Sequence, residues 1–220
     1  MSWNDATTQM IITGVYETIL ITVLSTFFGY LFGLPYGIAM VVTDRDGLHP
    51  MPVVYKVLDI LSNILRSVPF LILMILLIPF TRAVVGKSYG TEGTIVPLVI
   101  SAIPYIARLV ESSLKEVDPG VIEAAQAMGS SKRSIVLHVL LVEARTSLVV
   151  NATIATATIL GYSAMAGSIG GGGLGAIAIQ YGYYRYETTI MVVTVVLLIL
   201  LVQLFQTIGM KAAKALDKRK

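Results

Sequence analysis

Apolar runs of about 20 residues recur along this chain, and at about 1.5 Å rise each is long enough as a helix to cross a hydrocarbon core of about 30 Å. Five such spans are expected: about Thr18 to Val42, Ser67 to Thr81, Gly93 to Leu109, Thr146 to Tyr162 and Thr188 to Ile208. Arg66 and Arg82 flank the shortest and can snorkel to opposite surfaces. With 55% hydrophobic and 13% charged residues and a mean hydropathy of +0.81, the composition excludes an ordinary soluble domain. The expected fold is an all-α integral membrane protein, a single transmembrane domain over residues 1–220.

Within the first span Gly29, Gly33 and Gly37 recur every four residues, so they share one helical face and allow close helix packing; Pro35 is expected to kink it. A polar turn, Thr43 to Gly47, precedes an amphipathic stretch. There Lys56, Asp59, Asn63 and Arg66 oppose Val53, Val57, Leu58, Leu61 and Leu65, as in a helix lying in the membrane interface. Pro97 and Pro104 are expected to break the third span. The fourth is the least apolar, with Asn151, Thr153, Thr156, Thr158 and Tyr162.

The net charge of +3 is modest and gathers near span ends, which points to topology and not to nucleic acid. With the N-terminus outside, the inner segments hold Arg45, Lys56, Lys115, Lys132, Arg133, Arg145 and the tail Lys211, Lys214, Lys218, Arg219 and Lys220. The outer segments then hold only Arg82, Lys87 and Arg185, so N-out and C-in is the expected orientation. Met1 to Gln9 carries Asp5 and no Lys or Arg, unlike a cleavable signal peptide.

The long charged segment Glu111 to Arg145 separates the third and fourth spans, on the inner side in this orientation. Asp118 suits a helix N-cap, Pro119 the first helical position, and Gly129 the left-handed residue that ends a helix. Ser130 or Ser131 can cap the next one. The expected result is a short helix presenting Ala124 and Ala125 side by side, small enough for another protein's backbone to approach closely.

Several motifs fail on context. Gly86-Lys87-Ser88 ends like a phosphate-binding loop, but Thr81 stands where glycine is needed. Gly170, Gly172 and Gly175 satisfy G-x-G-x-x-G without a βαβ unit or an acidic residue at the right distance. His49 and His138 are too far apart and too poorly partnered for a metal site, and cysteine is absent. No nucleophile–base–acid set is present, no cofactor is expected, and no Asp or Glu lies mid-span to couple ions. Energy must therefore enter from elsewhere.

Glu123-Ala124-Ala125-x-x-x-Gly129, before the penultimate span, resembles the EAA loop of bacterial ABC importer permeases. Arg66-Ser67-Val68-Pro69-Phe70, Ile78 to Arg82, Gly161 to Met165, Gly170 to Gly175 and Gln180 to Tyr183 extend the likeness over nearly the whole chain. Together they are similar to the permeases of methionine importers. The resemblance implies the type I ABC importer fold in a bacterial inner membrane, with Glu123, Ala124, Ala125 and Gly129 as the ATPase-coupling residues. It also implies a homodimer, two ATP-binding cassette subunits on the cytoplasmic side and an extracytoplasmic methionine-binding protein. Val142 and Thr146 depart from the family's prolines, so the helix from Lys132 is expected to run more smoothly into the fourth span.

Asn151, Thr158, Tyr162 and Met165 follow at steps of seven, four and three and share one helical face. That face either lines a translocation path or makes interhelical hydrogen bonds. Tyr181, Tyr183, Tyr184 and Tyr186 read as an aromatic belt at the membrane surface. A permease for another amino acid or small polar solute would keep the docking helix and change the fourth-span face; a passive channel or scaffold would need no such helix.

Overall fold

The computed structural model describes residues 5–217; Lys218, Arg219 and Lys220 of the basic tail lie outside them, as do the first four residues of the N-terminal stretch. Helix α1 (Asp5–Thr43) continues through Pro35. Two of its buried hydroxyls find acceptors one turn back: Thr18 donates to the Gly14 carbonyl and Thr22 to that of Thr18, each at 2.7 Å. Helix α2 (Pro52–Ser67) ends before Val68-Pro69, because a residue preceding proline is pushed out of the helical region.

The expected second span is divided. It forms α3 (Phe70–Leu76) and α4 (Ile78–Val85), separated at Leu77, where Pro79 in the first turn of α4 has no amide to continue the ladder. Helix α5 (Gly90–Lys115) corrects another expectation, for it runs unbroken through Pro97 and Pro104. In an apolar surrounding the remaining backbone bonds have no water to compete with them, so a helix survives prolines that would end it elsewhere.

After α6 (Pro119–Ala127) come α7 (Lys132–Ser134), a π-helical segment Ile135–Leu140, α8 (Leu141–Glu143) and α9 (Arg145–Ala166). The chain thus stays helical from Lys132 with one departure at Ala144, while the π turn supplies an irregularity without proline. Helix α10 (Gly173–Ile177) passes into a second π segment, Ala178–Tyr183, and α11 (Thr188–Leu216) completes the chain. Four of these helices, α1, α5, α9 and α11, are long and apolar enough to cross a bilayer; α2 with α3 makes a fifth apolar stretch of span length, interrupted between them.

The residues group into two compact units. One holds the chain up to Gly29 with Val68–Ala102 and Thr156–Gln206. Its core joins Ile11, Leu160, Leu174, Ile177, Ile190 and Leu201, beside a second cluster of Ile21, Phe70, Met74, Leu98 and Ala166. The glycine run belongs here and is a helix start. Gly173, at φ +82°, donates its amide to Glu17 Oε2 at 2.8 Å, and the Leu174 amide reaches Thr18 Oγ1 at 2.8 Å. A Cβ on Gly172 would meet Thr91 Oγ1 at 2.7 Å and Glu17 Oε2 at 3.1 Å, so this backbone sits against α1 and α5 too closely for a side chain.

The other unit holds Tyr30–Ser67, Ile103–Ala155 and the chain from Thr207. Here α1 packs on α5 through the expected glycine face. A Cβ on Gly33 would meet Ile106 at 2.8 Å, and one on Gly37 the Ala107 carbonyl at 2.6 Å. Helix α2 turns Val53, Val57, Ile60, Leu61 and Ile64 outward and buries Ser62. Likewise α11 exposes Val192, Val195, Val196, Ile199, Leu200 and Leu204. Exposed apolar faces of this length mark helices that meet lipid rather than water.

Candidate functional site: a capped helix and its charged surround

Helix α6 begins and ends where its sequence says it should. Asp118 accepts the Gly120 amide at 2.7 Å, Pro119 occupies the first turn, and Gly129 takes φ +78° with its amide on the Gln126 carbonyl at 2.9 Å. Ser131 then caps α7 by accepting the Ser134 amide at 3.2 Å. Glu123 and Ala124 are exposed, but Ala125 is 4% exposed. The expectation of two alanines side by side on the surface is corrected: α6 packs on the π-helical segment Ile135–Leu140, and Ala125 turns inward. The outward ridge is instead Val121, Ala124 and Met128, with Met128 79% exposed. Their spacing of three and four puts them on one face, a signal present in the sequence.

A cleft of about 680 Å³ lies between α6 and the α1–α2 loop. Glu123 and Gln126 line one side, and Asp44, Arg45 and Asp46 the other, over Leu114, Ile122 and Leu140. The loop is tied at both ends of the α6 region. Asp44 pairs with Lys115 at 2.7 Å, before α6, and His49 Nδ1 lies 3.0 Å from Lys132 Nζ, after it. The ammonium of Lys115 holds the Asp44 carboxyl below the ordinary aspartate range, outweighing the partial burial that would raise it.

Behind the loop the charges continue. Glu111, 5% exposed, accepts from Lys115 at 2.9 Å and from Arg108 at 2.8 Å, and Tyr55 of α2 donates its hydroxyl to it at 3.0 Å. Arg108 also pairs with Asp59 of α2 and reaches the side-chain oxygen of Asn63 at 3.1 Å. Sequence reasoning noted the polar stripe of α2 but not its partners on α5; Arg108, Glu111 and Lys115 at helical spacings of three and four were the available sign.

The fourth-span face is divided between the units. In one, Asn151 donates its amide to Ser113 Oγ at 2.7 Å and to the Leu109 carbonyl at 3.3 Å. In the other, Thr158 is half-buried, Tyr162 stacks on Phe70 with ring centres 4.9 Å apart, and Met165 is 44% exposed. Among the described residues no group of three or more His, Cys, Asp or Glu side chains is placed to hold a metal ion.

Among the described residues the fold is all-helical with outward apolar faces, and α6 stands exposed between two helices of crossing length, the architecture of a polytopic membrane protein. Residues 29–220 match the family described as binding-protein-dependent transport system inner membrane component. The chain belongs to that family. It is 44% identical over 217 residues to the probable D-methionine transport system permease protein MetI of Vibrio cholerae, covering 99% of this chain and 96% of that protein. To the D-methionine transport system permease protein MetI of Escherichia coli K12 it is 46% identical over 158 residues, 72% of this chain and 73% of that one. The fold matches a chain of the MetNI methionine ABC transporter in an inward facing conformation, with a TM-score of 0.96 and 44% identity, over 98% of this chain and 100% of the other. A likeness at 19% identity and TM-score 0.78 to an amino acid ABC transporter crystallised with histidines shows the fold alone.

Proposed function

We propose that this chain is the membrane-spanning permease of an ATP-driven importer for methionine. The observation that carries the reading is α6: a rigidly capped helix whose exposed Val121–Ala124–Met128 ridge stands on a buried base, in a family of binding-protein-dependent transport components. Such a ridge fits a groove on a separate ATP-binding cassette subunit, which hydrolyses the nucleotide; this chain performs no chemistry. Glu123, Ala124, Ala125 and Gly129 form the coupling element, Ala125 as its buried footing and the others at its surface or end. The working assembly is a homodimer with two such ATPases on the cytoplasmic side and an extracytoplasmic methionine-binding protein. The N-terminus lies outside and the C-terminus inside, a reading supported by the excess of Lys and Arg on the inner segments.

On the fourth-span face Met165, exposed and thioether-bearing, is the member best placed to meet substrate, with Thr158 and Tyr162 beside it on the same helix. Asn151 holds α9 to α5. The test is reconstitution in vesicles with the ATPase and the binding protein. Methionine is expected to raise ATP turnover and to accumulate inside. Stimulation by a different amino acid and none by methionine would overturn the substrate; uptake without the ATPase would overturn the class.

A further inference from the structure

Nothing in the cap-to-cap construction of α6 explains how a push on it would travel. The link from α5 is only Glu116-Val117-Asp118, and a flexible link would absorb the displacement. Yet the last two turns of α5 are held from two directions. Lys115 fastens the end of α1 through Asp44 at 2.7 Å, and Arg108 fastens α2 through Asp59 and Asn63. Glu111 lies between the two cations, accepting from both at 2.8–2.9 Å while Tyr55 donates from α2. On the far side of α6 the same α1–α2 loop meets Lys132 through His49.

We propose that Arg108, Glu111 and Lys115 form a charged clasp that sets the bearing of α6 and passes its displacement to α1 and α2. The inference rests on reading α6 as the coupling helix. Arg108 and Lys115 are positioning residues; neither lies on the outward ridge. Three features support a role beyond cohesion. Glu111 is buried, and a buried charge network is a poor source of net stability compared with apolar packing, so its value lies in fixing one geometry. Two cations face three carboxylates on three separate segments, so the network joins α2, α5 and the α1–α2 loop where it leaves α1. The clasp residues also lie on the last turns of α5, which ends three residues short of α6, where the bearing of α6 is set.

The chain has no native cysteine, so Met128→Cys on α6 and Val53→Cys on α2, both exposed, accept spin labels at unique sites. In the full-length permease, with labelled chain diluted in unlabelled chain so that one pair is read per dimer, the interspin distance is expected to be narrowly distributed. Arg108→Met broadens it, Arg108→Lys restores it, and Asp59→Asn, which removes a partly exposed partner, gives the same broadening if Arg108→Met does not fold. In the reconstituted complex the broadening substitution, made without the two label cysteines, is expected to lower the methionine imported per ATP hydrolysed by about fivefold, the low end for an energetic coupling between sites. An unchanged distribution, or an unchanged ratio of uptake to hydrolysis, in both variants overturns the proposal. The distance is read without substrate. A wild-type complex that ignores methionine would therefore overturn the substrate reading and leave the clasp to be decided by that measurement.

Discussion

The amide of Ser130 donates to the carbonyl of Ala125 at 3.1 Å, closing α6 across the left-handed turn at Gly129. Together with the bond from the Gly129 amide to Gln126, this is a Schellman closure, which stops a helix at a defined residue. A Cβ at 129 would meet nothing within 4 Å, so the demand on glycine is conformational, not steric. Gly129→Ala should cost about 1 kcal/mol, the penalty for a left-handed non-glycine residue, and lower uptake partially. Gly129→Pro cannot adopt the positive φ and loses the donor amide. It is expected to abolish uptake while membrane insertion survives, checked by transport assay beside surface accessibility of the permease.

The two alanines of α6 should separate cleanly. Ala124 is exposed, so Ala124→Arg leaves the melting temperature of the purified permease unchanged and abolishes ATP-driven uptake by blocking the ridge. Ala125 is buried against the π-helical segment, so Ala125→Leu overpacks its footing and should cost about 1–3 kcal/mol, seen as a lower melting temperature before any question of docking. Equal melting curves for the two variants would mean that α6 does not seat as described.

Local chemistry was legible and long-range chemistry was not. The Asp118 cap, the Gly129 closure and the glycine face at Gly33 and Gly37 depend on neighbours within a turn or on helical periodicity, and all were readable from residue order. The inward turn of Ala125 depends on a segment ten residues later, and the Asp59 partner of Arg108 lies 49 residues away, beyond any helical spacing. Residue order alone leaves the glycine run at 170–175 open as an external docking or gating loop. Its amides are claimed by Glu17 and Thr18 on α1, 156 residues distant, which converts a loop into a helix start. Pro97 and Pro104 misled for a different reason: their helix-breaking character was learned in water, where freed carbonyls find a solvent partner.

Asp44 makes the clasp pH-dependent in one direction. Its carboxyl is held below the ordinary aspartate value of about 3.9, chiefly by the hydrogen bond from Lys115, with the Arg45 amide adding to it. A depressed carboxyl stabilises the fold fully above its unfolded value, and that contribution is lost as pH falls through the folded value. The stability difference between the wild-type chain and Asp44→Asn should therefore be constant from neutral pH down to about 5 and shrink below about 4. Thermal melting in detergent across that range checks it. A difference that grew on acidification would contradict the ion pair.

Asn151 and Met165 lie on one face of α9 but should fail in different ways. The Asn151 amide is spent on Ser113 and the Leu109 carbonyl, so Asn151→Leu removes an interhelical bond worth about 0.6–1.7 kcal/mol in a membrane protein. The methionine concentration for half-maximal uptake should stay where it was, because no substrate contact has been removed. Ser113 keeps its bond from Ser147 at 3.1 Å, so the damage stays local. Met165→Ala removes an exposed thioether without exposing an unpaired polar group, and its melting temperature should hold. If that side chain meets the passing solute, losing it should raise the half-maximal concentration about tenfold, the scale of one or more missing apolar contacts. Uptake titrations and melting curves on the two variants distinguish the roles: a reversed pattern, with Asn151→Leu altering affinity and Met165→Ala only stability, would move the path to the other unit.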